Sequence, residues 1–442
     1  MTDSPRRTKI LVTLGPSTDR PGVLDALLEC GADAARLNMS HGAHADHVRR
    51  ASDLRVRAGR LGRHVPVIVD LSGPKVRVGD VPPGGIQLDP GSEVRLVPRP
   101  VAVPGHAGGV VEVPVPVPGM LRLARKGDAF LIDDGLIRLR VFGRSGDSVR
   151  CTVEEGGRLG SRKGIVLPGA ALPFPALTAK DRRDIAFGAS LGADFFALSF
   201  VRSASDLRQA ARLAGGIPVL AKIERPEALD DIEGIIRGCA GVIVARGDLG
   251  VEVAPERVPL LQKKILRAAN LRGRIAIVAT QMLASMERSP IPTRAEATDV
   301  ANAVLDGADG LLLTGETAAG LHPVEAVRVL GRIVDEVERS DLYLDMVAPA
   351  VEAAAEPEEA LAAAAAEAAR ELDLGALVVI SNTGRTAALL SDHRPHVPIV
   401  GVARDAQAAR RLALQWGVVP AVGGRGVTAT GAAAIATRLL GL

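Results

Sequence analysis

Short runs rich in Val, Ile, Leu and Ala recur along the chain, and each gives way to polar or charged residues. In order they are TKILVTLGP (8–16), AARLNMSH (34–41), VPVIVDL (65–71), ADFFALSFV (193–201), PVLAKIE (218–224), GVIVARGDLG (241–250), IAIVATQM (275–282) and GLLLTGET (310–317). Most are separated by helix-length segments. Unbroken apolar strands alternating with helices predict a parallel sheet covered on its outer face, and eight such units predict a (β/α)8 TIM barrel. The polar ends of the runs then fall on the C-terminal rim, where this fold keeps its active site.

The rhythm breaks once. Between the third and fourth runs, residues 73–172 are rich in Val, Pro and Gly, show no convincing helix, and contain hairpin-like pieces such as LIRLRVFGRSGDSVRCTVEE. They predict an all-β domain inserted at the barrel mouth, placed to act as a lid. The barrel would comprise 1–72 and 173–345. After it, an Ala/Glu-rich helical stretch (349–371) leads into ALVVISNTGRTAALL and VPIVGVARDAQAARRLA, a β-α-β-α rhythm for a third, α/β domain over 346–442.

Composition narrows the function. The 54 basic and 51 acidic residues are mixed along the 442-residue chain and leave a net charge of +3, so no basic stripe points to nucleic acid or a membrane surface. One Trp, one Tyr and seven Phe offer no stacking platform for single-stranded nucleic acid. Cys30, Cys151 and Cys239 lack metal-ligand spacing and read as free thiols in a reducing compartment. With no apolar signal core before the first strand and no run of about 18 apolar residues, the expected location is cytoplasmic.

Candidate chemistry lies at the run ends. Alternate strand residues share a face, so Lys222 and Glu224 converge, and a neighbouring strand about 4.8 Å away brings Asp248 of ARGDLG within reach of Glu224. Two carboxylates suit Mg²⁺, which fills its octahedron with water and substrate oxygens. A structural ion pair and a simple turn are the bland alternatives. Arg36, Asn38 and Ser40 share a face on the second run, a guanidinium beside neutral oxygens that suits an anion. Thr280, Thr314 and Glu316 add polar groups to the same rim, or cap helices. His44 and His47, spaced with His41, read as ordinary helix-surface residues because no fuller ligand set accompanies them. Mg²⁺ with Lys and Arg around one point is equipment for phosphoryl transfer, and neither a P-loop nor a protein-kinase loop set is present.

TKILVTLGP, ARLNMSHG, DLSGPKVRVG, GSRKGIVLPG, AKIE, VARGDLGVE, ATQML, PTRAEATDVANAVLDGADG and TGETAAG, in this order, closely resemble the pyruvate kinase family from about residue 8 to 420. The resemblance implies phosphoryl transfer from phosphoenolpyruvate to ADP, with protonation of the enolate to pyruvate. It assigns Mg²⁺ (or Mn²⁺) to Glu224 and Asp248, and the transferring phosphoryl group to Lys222. Arg36, the Gly247–Asp248 backbone and Thr280 would bind phosphoenolpyruvate or pyruvate, with Thr280 near the proton path. Arg77 and Lys163, one at each hinge of the lid, would reach the nucleotide phosphates, flanked by Asn38 and His41. It also implies a homo-oligomer, a tetramer in the family.

Three departures accompany it. Many family members carry an acid where this chain has Lys75 and bind K⁺ through positions matching Asn38, Ser40, Asp70 and Leu71; here the fixed ammonium is expected to replace that ion, so K⁺ is not required. The third domain reads as shortened, and SNTGRT (381–386), which resembles an effector-phosphate loop, reads as an N-capped helix without effector. Thr314 stands where Ser is usual and keeps the hydroxyl. A Mg²⁺-dependent lyase or aldolase acting on pyruvate-like acids, or a paralogue with a sensing role, are the alternatives.

Overall fold

In the computed structural model each of the eight apolar runs contributes one strand to a closed parallel barrel. The strands are Lys9–Thr13, Ala34–Asn38, Val67–Asp70, Phe195–Leu198, Val219–Ile223, Gly241–Ala245, Ile275–Ala279 and Gly310–Leu313, the last pairing with the first. The structure describes residues 5–98, 106–107, 110–170, 174–347, 356–381 and 383–441. Strand periodicity sorts the side chains. Leu11, Ala34, Ile68, Leu220, Ile243 and Ile277 fill the barrel interior, while Ile10, Val12, Leu37, Val67, Val69 and Val244 pack outward against the helices. Two residues beyond Ala34, Ile68 and Leu220 on the same inward face stand Arg36, Asp70 and Lys222. The alternation that builds the core therefore also aims the charges at the rim.

Two runs end sooner as strands than their sequence suggests. ARGDLG leaves the sheet at Ala245 and continues as a helix, Arg246–Glu252, and the TGET segment turns helical over Gly315–Ala318. Helix starts elsewhere follow local chemistry: Thr178 and Thr293 each accept from the backbone three residues on, with Asp181 and Glu296 returning the bond.

The inserted segment forms a seven-stranded, largely antiparallel sheet and a two-stranded ribbon, with its own core around Leu96, Val113, Phe130, Leu139 and Val149. The expected hairpin is Ile137–Ser145 against Ser148–Glu155. One expectation fails: the insert holds a short helix, Pro118–Leu123. Its six residues are too few for an amphipathic period to show, and Pro118 at its first turn fits a helix start as well as a loop. The chain enters and leaves the insert side by side. Arg77 bridges Gly164, Ile165 N donates to Val76 O and Val78 N to Lys163 O, at 3.1 and 2.9 Å. The expected boundary near 172 lies outside the described residues.

Beyond the barrel, the helix Pro357–Glu371 precedes a three-stranded parallel sheet, Leu377–Ile380, Ile399–Ala403 and Val418–Val422, with helices on both faces. Residues 349–355 of the predicted Ala/Glu-rich helix lie outside the described residues. This unit docks under the barrel through Trp416 and Leu414, which join the barrel's apolar clusters, and through polar contacts. Lys9 Nζ donates to Val418 O at 2.8 Å, Trp416 Nε1 to the Tyr343 hydroxyl at 2.9 Å, and Arg394 pairs with Asp309 at 2.7 Å while stacking on Trp416. Arg394 and Asp309 are both more than nine-tenths buried, and Asp392 beside them is pushed up to about 8 by burial and by Asp309.

Removing one partner of such a pair leaves a buried charge uncompensated. Arg394→Met should therefore cost about 3–5 kcal/mol in denaturant unfolding, or split off an early transition of the C-terminal unit. A midpoint unchanged from wild type would show that the pair does not hold the dock.

Candidate active site

The third barrel strand ends in Asp70, which is 2% exposed. Its Oδ2 accepts from Arg36 Nε at 2.6 Å and lies 3.4 Å from Lys222 Nζ, and Ser199 Oγ donates to Oδ1 at 3.4 Å. Burial alone would push this carboxyl up; Lys222 and Arg36 outweigh it and hold Asp70 below the usual carboxylate range. Arg36 Nη1 donates to Thr13 Oγ1 at 3.1 Å, so its fork is oriented from two strands.

Lys222 completes the cluster. Its ammonium donates to Ser199 Oγ at 2.8 Å and lies 2.7 Å from Glu224 Oε1. Burial would lower its pKa, but Asp70 and Glu224 together raise it, so the ammonium stays charged. Glu224 is 1% exposed; its Oε2 accepts from Phe200 N at 2.7 Å, whereas Oε1 makes no aligned hydrogen bond among the described residues. Burial, opposed by Lys222 and reinforced by Asp248, raises its pKa. A buried carboxylate answered by Lys222, with a second carboxylate, Asp248, close enough to raise its pKa, suits a divalent cation. Among the described residues no group of three or more His, Cys, Asp or Glu is arranged to hold a metal, but Mg²⁺ asks for one or two carboxylates.

Asp248 sits in the first turn of the helix Arg246–Glu252, and its Oδ1 lies 2.8 Å from Lys75 Nζ. That turn is pinned to the seventh strand. Gly247 N donates to Thr280 Oγ1 at 2.7 Å, which itself donates to Ala279 O at 2.5 Å. Arg246 clamps Thr280 O at 2.8 Å and pairs with Asp299 at 2.6 Å. Thr280 and Gln281 have φ of 70° and 55°, the left-handed region that costs non-glycine residues on the order of 1–3 kcal/mol. The clamp holds that strain in place and fixes the Thr280 hydroxyl.

The remaining residues fall as follows. Arg77 Nη1 donates to Arg162 O at 2.9 Å and Lys163 pairs with Asp133 at 2.9 Å, so both bases lie on the paired crossings of the insert. Asn38 Oδ1 accepts from Ser40 N at 3.0 Å, which makes Ser40 part of a turn beyond the strand. His41 is pulled below its ordinary pKa by burial and by Arg77, Arg36 and Lys75. His47 is a correction: it is 2% exposed, donating to His41 O at 3.0 Å, while half-exposed His44 pairs with Asp184 and stacks on Phe187. Glu316 is another, buried with its carboxylate turned back onto Thr314 N and Leu283 N, where it fixes the loop. Burial pushes the Cys151 and Cys239 thiols up to about 12 and about 11.

Two features were missed in the sequence. Ser199, which joins Lys222 to Asp70, lies in ADFFALSFV at the end of the fourth run; the strand-end rule that picked out the other runs would have found it. Arg225 and Glu252 are the second. Arg225 contacts Glu252, pairs with Glu227 at 2.8 Å and donates to Ala170 O at 2.9 Å on the return crossing. With Lys75, Phe200, Asp248 and Leu167 they line a cavity between rim and insert.

Two buried carboxylates, Asp70 and Glu224, with Lys222, Arg36 and the part-exposed Asp248 on a barrel rim, and two bases on the crossings of the insert, suit a phosphotransferase site. The comparisons with known proteins give the same class. Residues 5–327 match the family described as pyruvate kinase, barrel domain, and 359–438 match pyruvate kinase, alpha/beta domain. Relatives named pyruvate kinase include one from Agrobacterium vitis, 44% identical over 94% of this chain and 86% of its own length. Others come from Methylorubrum extorquens (41%, covering 94% and 87%) and Geobacillus stearothermophilus (40%, covering 93% and 71%). The chain belongs to the pyruvate kinase family.

The Glu252 carboxyl, pushed up to about 7 by burial against an ordinary 4.5, yields a pH prediction. The folded chain keeps a proton that the unfolded chain releases, so this contribution to stability is full below about pH 4.5 and is lost as pH rises through about 7. Denaturant midpoints should show wild type losing stability relative to Glu252→Gln across that window. A difference that stays flat with pH would refute the shift.

Proposed function

We propose that the chain transfers a phosphoryl group from phosphoenolpyruvate to ADP and protonates the resulting enolate to pyruvate, in the cytoplasm and as a homo-oligomer. The observation that carries this reading is the Lys222 ammonium, held between Glu224, Asp70 and Ser199 with its stem buried. Glu224 and Asp248 would hold Mg²⁺, which would supply positive charge to offset that of the phosphoryl oxygens. Lys222 presents a fixed positive charge where the transferring group spreads its own, a contribution that needs no reorganisation during the reaction. Arg36 and the Gly247–Asp248 backbone orient the carboxylic acid, and Thr280, fixed by its clamp, places a hydroxyl for proton delivery. Arg77 and Lys163 reach the nucleotide phosphates as the insert closes and sheds water, beside Asn38 and neutral His41. A lyase or aldolase would have no use for the two bases on the crossings, which favours the kinase.

K⁺ is not required in this reading. Asp70 is already compensated by Arg36 and Lys222, and Asn38 Oδ1 is engaged by Ser40, so the set Asn38, Ser40, Asp70 and Leu71 has little left to attract a monovalent cation. The Lys75 ammonium supplies its charge at the same rim.

A coupled assay of pyruvate formation from phosphoenolpyruvate and ADP with Mg²⁺ tests the activity. Lys222→Met should lower kcat more than tenfold, over about 1.4 kcal/mol of barrier. A smaller loss would remove Lys222 from the role given it. In the same assay, replacing K⁺ with tetramethylammonium should leave the wild-type rate within about twofold, and Lys75→Glu should make activity depend on K⁺. A large loss for wild type in tetramethylammonium would overturn the potassium reading.

A further inference from the structure

Lys75 lies on the segment entering the insert, yet its ion-pair partner belongs to the barrel: Asp248 Oδ1, at 2.8 Å. Charge matching around the rim makes that contact informative. Asp70 is neutralised by Arg36 and Lys222, and Glu224 shares Lys222, so Asp248 takes its cation from the crossing. We propose that Lys75 is a displaceable counter-cation for Asp248, which a divalent metal must evict, so that metal binding at the rim releases the crossing that carries the inserted domain.

This inference rests on the assignment of the metal to Glu224 and Asp248. The two ends of the contact belong to differently anchored parts. Asp248 stands on a helix start fixed by Arg246 to Asp299 and by Gly247 to Thr280. Lys75 precedes Val76 and Val78, which bond the return crossing at Ile165 and Lys163, so a tether on Lys75 holds both crossings. A lysine suits the task because its compact charge rides on a flexible four-carbon stem. Both side chains are about one-third exposed, at 32% and 29%, so the contact is open to exchange with an incoming ion. Once a dication occupies Asp248 it repels the ammonium, which is then free to serve as the fixed monovalent charge of the loaded site. One residue thereby has two positions, and the metal selects between them.

The test is Mn²⁺ binding to the full chain without substrate, read from the electron paramagnetic resonance of free Mn²⁺ at low ionic strength. Lys75→Met, which keeps the stem, should tighten Mn²⁺ binding about three- to thirty-fold, an effect that shrinks with added salt. Lys75→Arg should restore wild-type affinity. Arg77→Met, which removes the same charge from the same segment without touching Asp248, should shift affinity less than about twofold. Amide exchange at Val78 and Ile165 should quicken on Mn²⁺ binding in wild type, and be already fast and unresponsive in Lys75→Met. If Lys75→Met binds Mn²⁺ like wild type while Asp248→Asn binds it more weakly, the counter-cation idea falls and the metal site stands. If Asp248→Asn leaves Mn²⁺ binding unchanged, the metal site falls and the inference with it.

Discussion

The rim depends on one buried carboxylate. Asp70 ends the third strand and gathers Arg36 from the second, Ser199 from just past the fourth and Lys222 from the fifth, so a single side chain ties four adjacent strands together at their open end. A buried charge is costly unless opposite charge and hydrogen bonds answer it. Here two cations answer one carboxylate, and the surplus is shared with Glu224. That sharing keeps Lys222 charged inside the protein. It also leaves Glu224 sharing its one cation with Asp70, so the carboxylates at the rim are not fully balanced by Lys222 alone.

Around this hub the backbone is held where it would not rest unaided. Phe200, Thr280 and Gln281 adopt left-handed backbone angles at the ends of the fourth and seventh strands. The Phe200 amide donates to Glu224 Oε2 at 2.7 Å. Gly73 is left-handed as well and lies against the Phe200 ring, where a Cβ would come within 2.6 Å of the ring, so the first residues of the crossing accept no side chain at that point. Gly73 N also donates to Asp181, the residue that completes the Thr178 cap at 3.1 Å. The entry to the insert is therefore held to the barrel at Gly73.

Much of this was legible in the sequence because apolar runs report the barrel twice, once by their count and once by the polar residues at their ends. Lys222, Glu224, Arg36 and Asp70 meet at the rim because period-two alternation continues past the core. What escaped has a common physical origin. Whether ARGDLG continues as strand or turns to helix and where Glu316 points depend on partners 33 residues away, Thr280 and Leu283, and the burial of His47 depends on the loop at His41 folding back over it. The Pro118–Leu123 helix is one turn and a half, below the length at which a period can be read. Glu252 carries no signal of its own in the sequence; its burial comes from Arg225 and the return crossing, which meet it only in the fold.

Lys75 separates the two kinds of information most clearly. Its type is in the sequence and suggests a charge that replaces a bound ion; its partner is in the fold and is a carboxylate assigned to the metal. The two are compatible if the ammonium is mobile and the carboxylates are not. A tethered cation is present at every salt composition and surrenders no translational freedom on binding, unlike a dissolved ion. Its tether, however, makes it part of the crossing, so any charge it supplies to the site is also a force on the insert. A free potassium ion could not transmit that force. If Lys75 replaces an ion as proposed, the exchange changes more than the requirement for salt: it would place the charge balance of the rim and the position of the insert under one residue.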